Sequence, residues 1–348
     1  MSNKKVLLID VDGKIPNLAL MRLSAYHKRM KHDVEILRLE KGGYPALKKE
    51  VFIDSSKYLK VYASVLYNWN KDVLKFSDMS NVLIGGTGYD IHSKLPPEVD
   101  AESEDYSVYS DSKIAYGFIT RGCIRKCGFC VVPEKEGMIH KVNDIDDIFN
   151  PNTHKILYLM DNNILAYPDH EKILTELRDR KIQVHFNSGL DIRLATDTNL
   201  KLLSELNYYG NYLFSFDLPK QHNEITEKAK LVKKYINKKW ELKMCLLVGW
   251  KSTLGEDIGR ILWCLERKIL PYIMRHEKCW NSENREFYID LAAWANQAGF
   301  VKTLTFKQFL FKRHINKKGI LNMKRISNSL NNYNKSLPEA LEFIKKAA

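Results

Sequence analysis

The sequence predicts an α/β protein with an N-terminal doubly wound parallel sheet, then a partial (β/α)6 barrel of the TIM type, then a basic helical C-terminal extension. Three observations predict it. Apolar strand-like runs alternate with helical spacing over the first hundred residues, six further strand signals recur at fairly even intervals after Lys113, and Lys and Arg concentrate after Val301. At 348 residues, 45% hydrophobic and 28% charged, the chain is long enough for about two domains with a buried core.

Each element rests on its own pattern. Val6–Val11 is a buried strand, Leu18–Met30 has apolar residues at helical spacing, Val34–Leu39 is a second strand and Lys60–Leu66 a third. Val82–Ile84 runs into the glycine turn Gly85–Gly88, which lacks GxGxxG spacing, so a dinucleotide fingerprint is not met. The stretch 92–113, rich in Pro, Ser and acids, reads as a linker. The barrel strands are Ile114–Ile119, Ile156–Met160, Val184–Phe186, Leu213–Phe216, Leu242–Val248 and Leu270–Met274, with crossover helices between them. The corresponding domains are 1–95, a linker at 96–112, the barrel at 113–285 and the extension at 286–348. From Val301 on, eleven Lys or Arg face Glu339 and Glu342, with Phe306, Phe309, Leu310, Phe311, Ile320, Leu321, Met323 and Ile326 between the charges, which predicts basic amphipathic helices.

The whole chain carries +13, which favours polyanionic partners, and the basic tail makes nucleic acid a candidate. No run approaches the roughly 18 apolar residues of a membrane span, and no signal peptide is recognisable, so the expectation is a cytoplasmic protein without a membrane partner. Six cysteines are too few for a disulfide scaffold. Cys245 and Cys264 sit in apolar surroundings and read as core, whereas Cys279 follows the last strand.

Cys123, Cys127 and Cys130 lie within eight residues, directly after a strand. Thiolates at this spacing can wrap a four-iron cluster from one loop, leaving one iron without a protein ligand. Gly122 and Gly128 permit a tight wrap, and Arg121, Arg125 and Lys126 offset the thiolate charge. Zinc is the alternative; it needs a fourth ligand, for which His140 is the next candidate. Ends of parallel strands carry the chemistry in such barrels, so the residues just past each strand are the other candidates. They are Asp161 and Asn163 after the second strand, Asn187, Asp191 and Arg193 after the third, Asp217 after the fourth, Gly249 after the fifth, and Met274, Arg275 and His276 at the sixth.

Cys123, Cys127, Phe129 and Cys130 form a CxxxCxφC pattern, with φ aromatic, that resembles the signature of the radical S-adenosylmethionine superfamily. The resemblance covers about residues 113–280. It implies an enzyme with a 4Fe-4S cluster on the three cysteines, S-adenosylmethionine on the open iron, a 5′-deoxyadenosyl radical, and a one-electron donor of the flavodoxin or ferredoxin type. It further implies that Phe129, Asp161, Asn163, Asn187, Asp191, Arg193, Gly249 and Met274 surround the cofactor. Asp161-Asn162-Asn163 departs from the glycine and glutamate motif usual in that superfamily, although Asp161 can accept from an ammonium. Residues 1–90 resemble a cobalamin-binding (Rossmann-like) domain, but Asp10-Val11-Asp12-Gly13-Lys14 lacks the cobalt-ligating histidine, so cobalamin is possible rather than implied. The same segment resembles the nucleophile loop of haloacid-dehalogenase phosphatases, without that family's later motifs. The competing function is a non-catalytic zinc or iron–sulfur protein that binds nucleic acid through the basic tail.

Overall fold

The computed structural model describes residues 5–39, 49–109 and 113–346 and divides into two compact units, 1–122 with 130–158, and 123–129 with 159–348. It is an α/β protein with parallel sheets.

The first unit is built on β1 (Lys5–Asp10), β2 (Asp33–Arg38), β3 (Val51–Ile53), β4 (Lys60–Ser64), β5 (Leu74–Phe76) and β6 (Val82–Gly85), with α1 (Leu18–Arg29) after β1. β1, β2, β4 and β6 form a parallel sheet in the order β2-β1-β4-β6, and β3 and β5 pair in a second one. β1 is apolar from Val6 to Ile9 because both its faces are covered: Leu7, Ile9 and the following Val11 pack on Ile53, Val61 and Leu74, while Val6 and Leu8 pack on Leu20, Leu23 and Val99. The motif after β1 is structural. Asp10 accepts from Gly13 N and the Tyr109 hydroxyl, and Asp12 from Leu66 N, Tyr67 N and Asn70 Nδ2, so both carboxylates knit loops together. In the glycine turn, a Cβ at Gly86, where φ is +98°, would come within 2.4 Å of the Val65 carbonyl oxygen.

The stretch read as a linker is packed against α1. It holds α2 (Pro97–Asp100), and Arg22 pairs with Asp100 and Glu104, Lys28 with Asp105, and Arg29 with Glu102. Its acidic composition is thus complementary to a basic helix face; its last residues, 110–112, lie outside the described residues. The unit continues with β7 (Ile114–Gly117), β8 (Thr120–Arg121), α3 (Val132–Lys135), β9 (His140–Lys141) and α4 (Ile145–Ile148), β8 and β9 pairing antiparallel. β10 (Ile156–Leu159) leads out of it.

The second unit carries β11 (Gln183–Phe186), β12 (Tyr212–Ser215), β13 (Leu242–Val248) and β14 (Leu270–Arg275), separated by α5 (His170–Asp179), α6 (Asp197–Glu205), α7 (His222–Tyr235) and α8 (Leu254–Glu266). β12, β13 and β14 are parallel neighbours, and β11 continues toward β12 through parallel bridges at Val184–Tyr208 and Leu190–Phe214. The central β13 is almost wholly buried, as its apolar run Met244–Val248 requires.

Behind the strand ends lies a buried ion pair. Arg260 and Asp257 of α8 are both fully buried, 2.5 Å apart. The guanidinium also donates to the carbonyls of Phe216, Asp217 and Leu247, at 2.7 to 3.0 Å, and Asp257 accepts from Gly249 N and the Tyr288 hydroxyl.

The extension forms α9 (Arg285–Ala295), α10 (Ala298–Val301), α11 (Phe306–Arg313) and α12 (Met323–Lys345). α12 lies close on α8 because Gly255 and Gly259 leave room for Glu339 and Phe343. The buried Asp290 of α9 accepts from Arg313, Arg325 and Ser329 and lies 3.0 Å from His314 Nε2, so part of the basic tail is neutralised internally. Ile320 and Met323, read as packing positions, are exposed, since they flank a short turn closed by the Ile315–Leu321 bridge. No helix among the described residues is long and apolar enough to cross a membrane.

Arg260→Ala leaves Asp257 buried without its cation and three strand-end carbonyls without their donor, and is expected to cost about 3–5 kcal/mol. Lys230→Ala, which breaks only an exposed pair with Glu227, is expected to cost under about 0.5 kcal/mol, and urea unfolding of both variants measures the contrast.

Candidate metal and cofactor site

The cysteine loop begins where a side chain is sterically forbidden. Gly122 has φ +85°, and a Cβ there would lie 2.4 Å from the Met138 carbonyl oxygen. From Gly122 to α3 the chain has neither helix nor strand. Cys123 and Cys127 are half-buried and Cys130 is exposed, and none is in a disulfide.

Within the second unit, residues 123–129 are held at the carboxyl ends of its strands. Cys123 Sγ accepts from Arg125 N at 3.3 Å and from Asn163 Nδ2 at 3.4 Å. Arg125 Nε donates to Asp191 at 2.9 Å, and Arg193 closes a two-pronged ion pair on the same carboxylate at 2.7 and 2.9 Å. Burial alone would raise the Asp191 carboxyl, but the hydrogen bonds and charges of Arg193, then Arg125, outweigh it and hold the group below the ordinary carboxylate range. Arg193 also feels the charge of Cys127. A Cβ at Gly128 would lie 3.8 Å from Trp250, whose ring stands 4.3 Å from that of His276.

Thus the structure brings Asn163, Asp191 and Arg193 to the loop, together with Arg125 and Trp250. Trp250 was not a sequence candidate; its one signal is an aromatic residue immediately after the strand-ending Gly249. Asp161 is buried beside Asn163 in the sequence, and Phe129 is half-buried. Asn187 is exposed and donates its amide to the Leu159 carbonyl, and Met274 is half-buried on β14. At Gly249, with φ +71°, the space a side chain would take is filled by Cys279, whose Sγ would lie 2.2 Å from a Cβ. That glycine therefore serves packing on this side. Burial pushes the thiols of Cys245 and Cys279 up to about 12, in keeping with core positions.

Asn163 Oδ1 and Asp217 Oδ1, both just past strand ends of the second unit, are buried without a hydrogen-bond partner among the described residues, as are Asn81 Oδ1 and Ser252 Oγ elsewhere. Such orphans call for an explanation, and a bound donor supplies one. Burial pushes the Asp217 carboxyl up to about 6, against the pull of Arg260 and Arg193.

The loop fits an iron–sulfur cluster in donor chemistry and local charge: three thiols outside any disulfide, none fully buried, two of which, Cys123 and Cys127, lie in the unit that holds Arg125 and Arg193. Among the described residues no group of three or more His, Cys, Asp or Glu is drawn close enough to hold a metal ion, so cluster binding requires the loop to gather its sulfurs. His140, the fourth ligand a zinc site would need, is exposed with Nδ1 2.9 Å from the Met138 carbonyl oxygen. No protein-family model matches the chain, and no curated protein is significantly similar to it.

Because native Asp217 keeps its proton above the pH at which the unfolded chain releases it, the native state binds more protons between about pH 4 and about pH 6. Stability should fall as pH rises through that window, by something on the order of 3 kcal/mol. Asp217→Asn should flatten this slope; equal slopes in variant and wild type, measured by urea unfolding, would overturn the assignment.

Proposed function

We propose that the chain is a radical S-adenosylmethionine enzyme with a 4Fe-4S cluster on Cys123, Cys127 and Cys130. The observation that carries this reading is the Cys123–Phe129 stretch of the CxxxCxφC loop meeting, within the second unit, polar residues from the ends of successive strands: Asn163 on the Cys123 sulfur, and Asp191 with Arg193 on Arg125. When bound, the cluster and S-adenosylmethionine supply a one-electron reductive cleavage to methionine and a 5′-deoxyadenosyl radical.

The protein's own residues then bind and orient. Asn163 Oδ1, buried and unpartnered, accepts from the ammonium of the methionyl group. Asp191 fixes Arg193 and Arg125 through both its oxygens, so that Arg193 presents its remaining donors to a carboxylate. With Asp191 so engaged, it acts as a positioning residue, and Asp217 is the acceptor left for a substrate hydroxyl or amide. Trp250, its ring against that of His276, supplies an aromatic wall on the side of Gly128. A partial barrel, a cytoplasmic setting and a flavodoxin- or ferredoxin-type donor belong to the same reading. The N-terminal sheet serves as a scaffold in it, because both aspartates of its first loop are consumed by structural hydrogen bonds.

The test is anaerobic reconstitution with iron and sulfide, followed by dithionite and S-adenosylmethionine. Wild type is expected to bind four irons, absorb in the visible and yield 5′-deoxyadenosine, and the triple Cys→Ala variant to do neither. Asn163→Ala is expected to keep the cluster absorption and weaken S-adenosylmethionine binding about tenfold or more. Zinc bound in place of iron would overturn the proposal.

A further inference from the structure

At the amino ends of its strands, the opposite end from the cysteine loop, the second unit carries aromatic rings with lysine ammonium groups laid over them. The turns that enter β13 and β14 meet there, the Trp240 amide donating to the Lys268 carbonyl at 2.8 Å. Trp240 and Lys268 both hold left-handed backbones, with φ +66° and +53°, a conformation uncommon for any residue but glycine. Asn211, just before β12, donates its side-chain amide to the Trp240 carbonyl at 2.8 Å. The backbone that presents the indole is therefore fixed from two neighbouring turns.

Two ammonium groups lie over that one ring, Lys268 at 5.7 Å and Lys302 at 5.3 Å from its centroid. Beside it on the sheet, Lys243 of β13 lies 4.8 Å from the ring centroid of Tyr272 on β14, and Tyr272 is 38% exposed. Among the described residues the lysine ion pairs of the second unit are those of Lys172, Lys230 and Lys346. Lys243, Lys268 and Lys302 thus have none, and neither do the exposed Lys238 and Lys239 just before Trp240. The carboxylates at hand are engaged: Glu241 accepts the Lys238 amide at 3.2 Å, and Glu266 lies 3.5 Å from Arg267.

At this end, rings stand where carboxylates would ordinarily meet the ammonium groups, which leaves net positive charge on aromatic surface. Elsewhere in the unit cations behave otherwise, as where Arg313 and Arg325 close on Asp290. Unpaired charge calls for a polyanion, and rings among the charges call for one that carries flat π faces of its own. An acidic polypeptide or an anionic lipid surface brings the charge alone, whereas a nucleic-acid strand brings both. A duplex keeps its bases stacked on one another, so the fit is to a single strand.

We propose that this face binds single-stranded nucleic acid, with Lys243, Lys268 and Lys302 on the phosphates and bases stacked on Trp240 and Tyr272. The long lysine stems let the ammonium groups swing from the rings to flanking phosphates as a base takes their place. The site uses no cysteine and no metal, so it stands apart from the iron–sulfur reading.

The full-length protein is titrated with a fluorescently labelled single-stranded oligoribonucleotide, and anisotropy is followed over a range of salt. Saturable binding is expected, weakened about tenfold or more in the double variant Lys268→Gln, Lys302→Gln. The log–log salt slope of that variant should be shallower by roughly 1.4, two phosphate contacts at about 0.7 each. Tyr272→Leu keeps the charge and is expected to weaken binding about fivefold or more at an unchanged salt slope, the signature of a lost stack. The exposed control pair Lys317→Gln, Lys318→Gln removes the same charge from another surface and should leave the affinity within about twofold. An affinity indifferent to Lys268 and Lys302, or an equal loss in the control, overturns the site. Tighter binding of the duplex, or equal binding of polyglutamate of matched charge, overturns the single-strand assignment. The readout is binding, so its failure leaves deoxyadenosine production untouched, and the reverse holds as well.

Discussion

The buried pair of Asp257 and Arg260 is the constraint on which the second unit's strand ends depend. A charge sealed from water is tolerable only if its partner and its remaining donors are satisfied, and Arg260 meets this demand by reaching backbone carbonyls at the ends of β12 and β13. Asp257 in turn holds Gly249 through its amide and α9 through the Tyr288 hydroxyl. The loops that carry Asp217, Gly249 and Trp250 therefore start from fixed points. One guanidinium nitrogen, Arg260 Nε, is buried without a partner, the residual cost of serving so many carbonyls.

Charge follows a similar logic elsewhere. The +13 of the chain suggests an open basic surface, yet much of it is spent within each unit. Arg313 and Arg325 converge on Asp290, and Arg22, Lys28 and Arg29 meet the acids after α2. Beside the cysteine loop, Arg125 and Arg193 share the single carboxylate of Asp191, so a positive charge is left over there. Net charge describes the reservoir, while pairing decides where a field survives.

The strand register of the sequence was readable where burial is two-sided. Lys5–Asp10 and Leu242–Val248 are mostly apolar because both faces are covered, and these strands and Leu270–Arg275 lie where their patterns put them. Three-residue strands such as Val51–Ile53 and Leu74–Phe76 escaped, since so few residues show no period. The acidic stretch around Glu102 and Asp105 read as a linker because composition cannot reveal that a basic helix lies opposite. Asp191 and Arg193 were legible as a polar pair two residues apart, but not that Arg125, 66 residues away, shares the carboxylate.

By itself the sequence determined the α/β class, the order of strand and helix, and the presence of three thiols on one glycine-flanked loop, because these are set by local periodicity and by spacing along the chain. The tertiary structure alone decided which polar groups were consumed and which were left. Asp10 and Asp12 became structural, Gly249 was claimed by Cys279, and Asn163, Asp217 and His222 kept unpartnered atoms. The physical reason is that satisfaction of a hydrogen bond or a charge is a property of neighbours in space, and those neighbours come from distant parts of the chain.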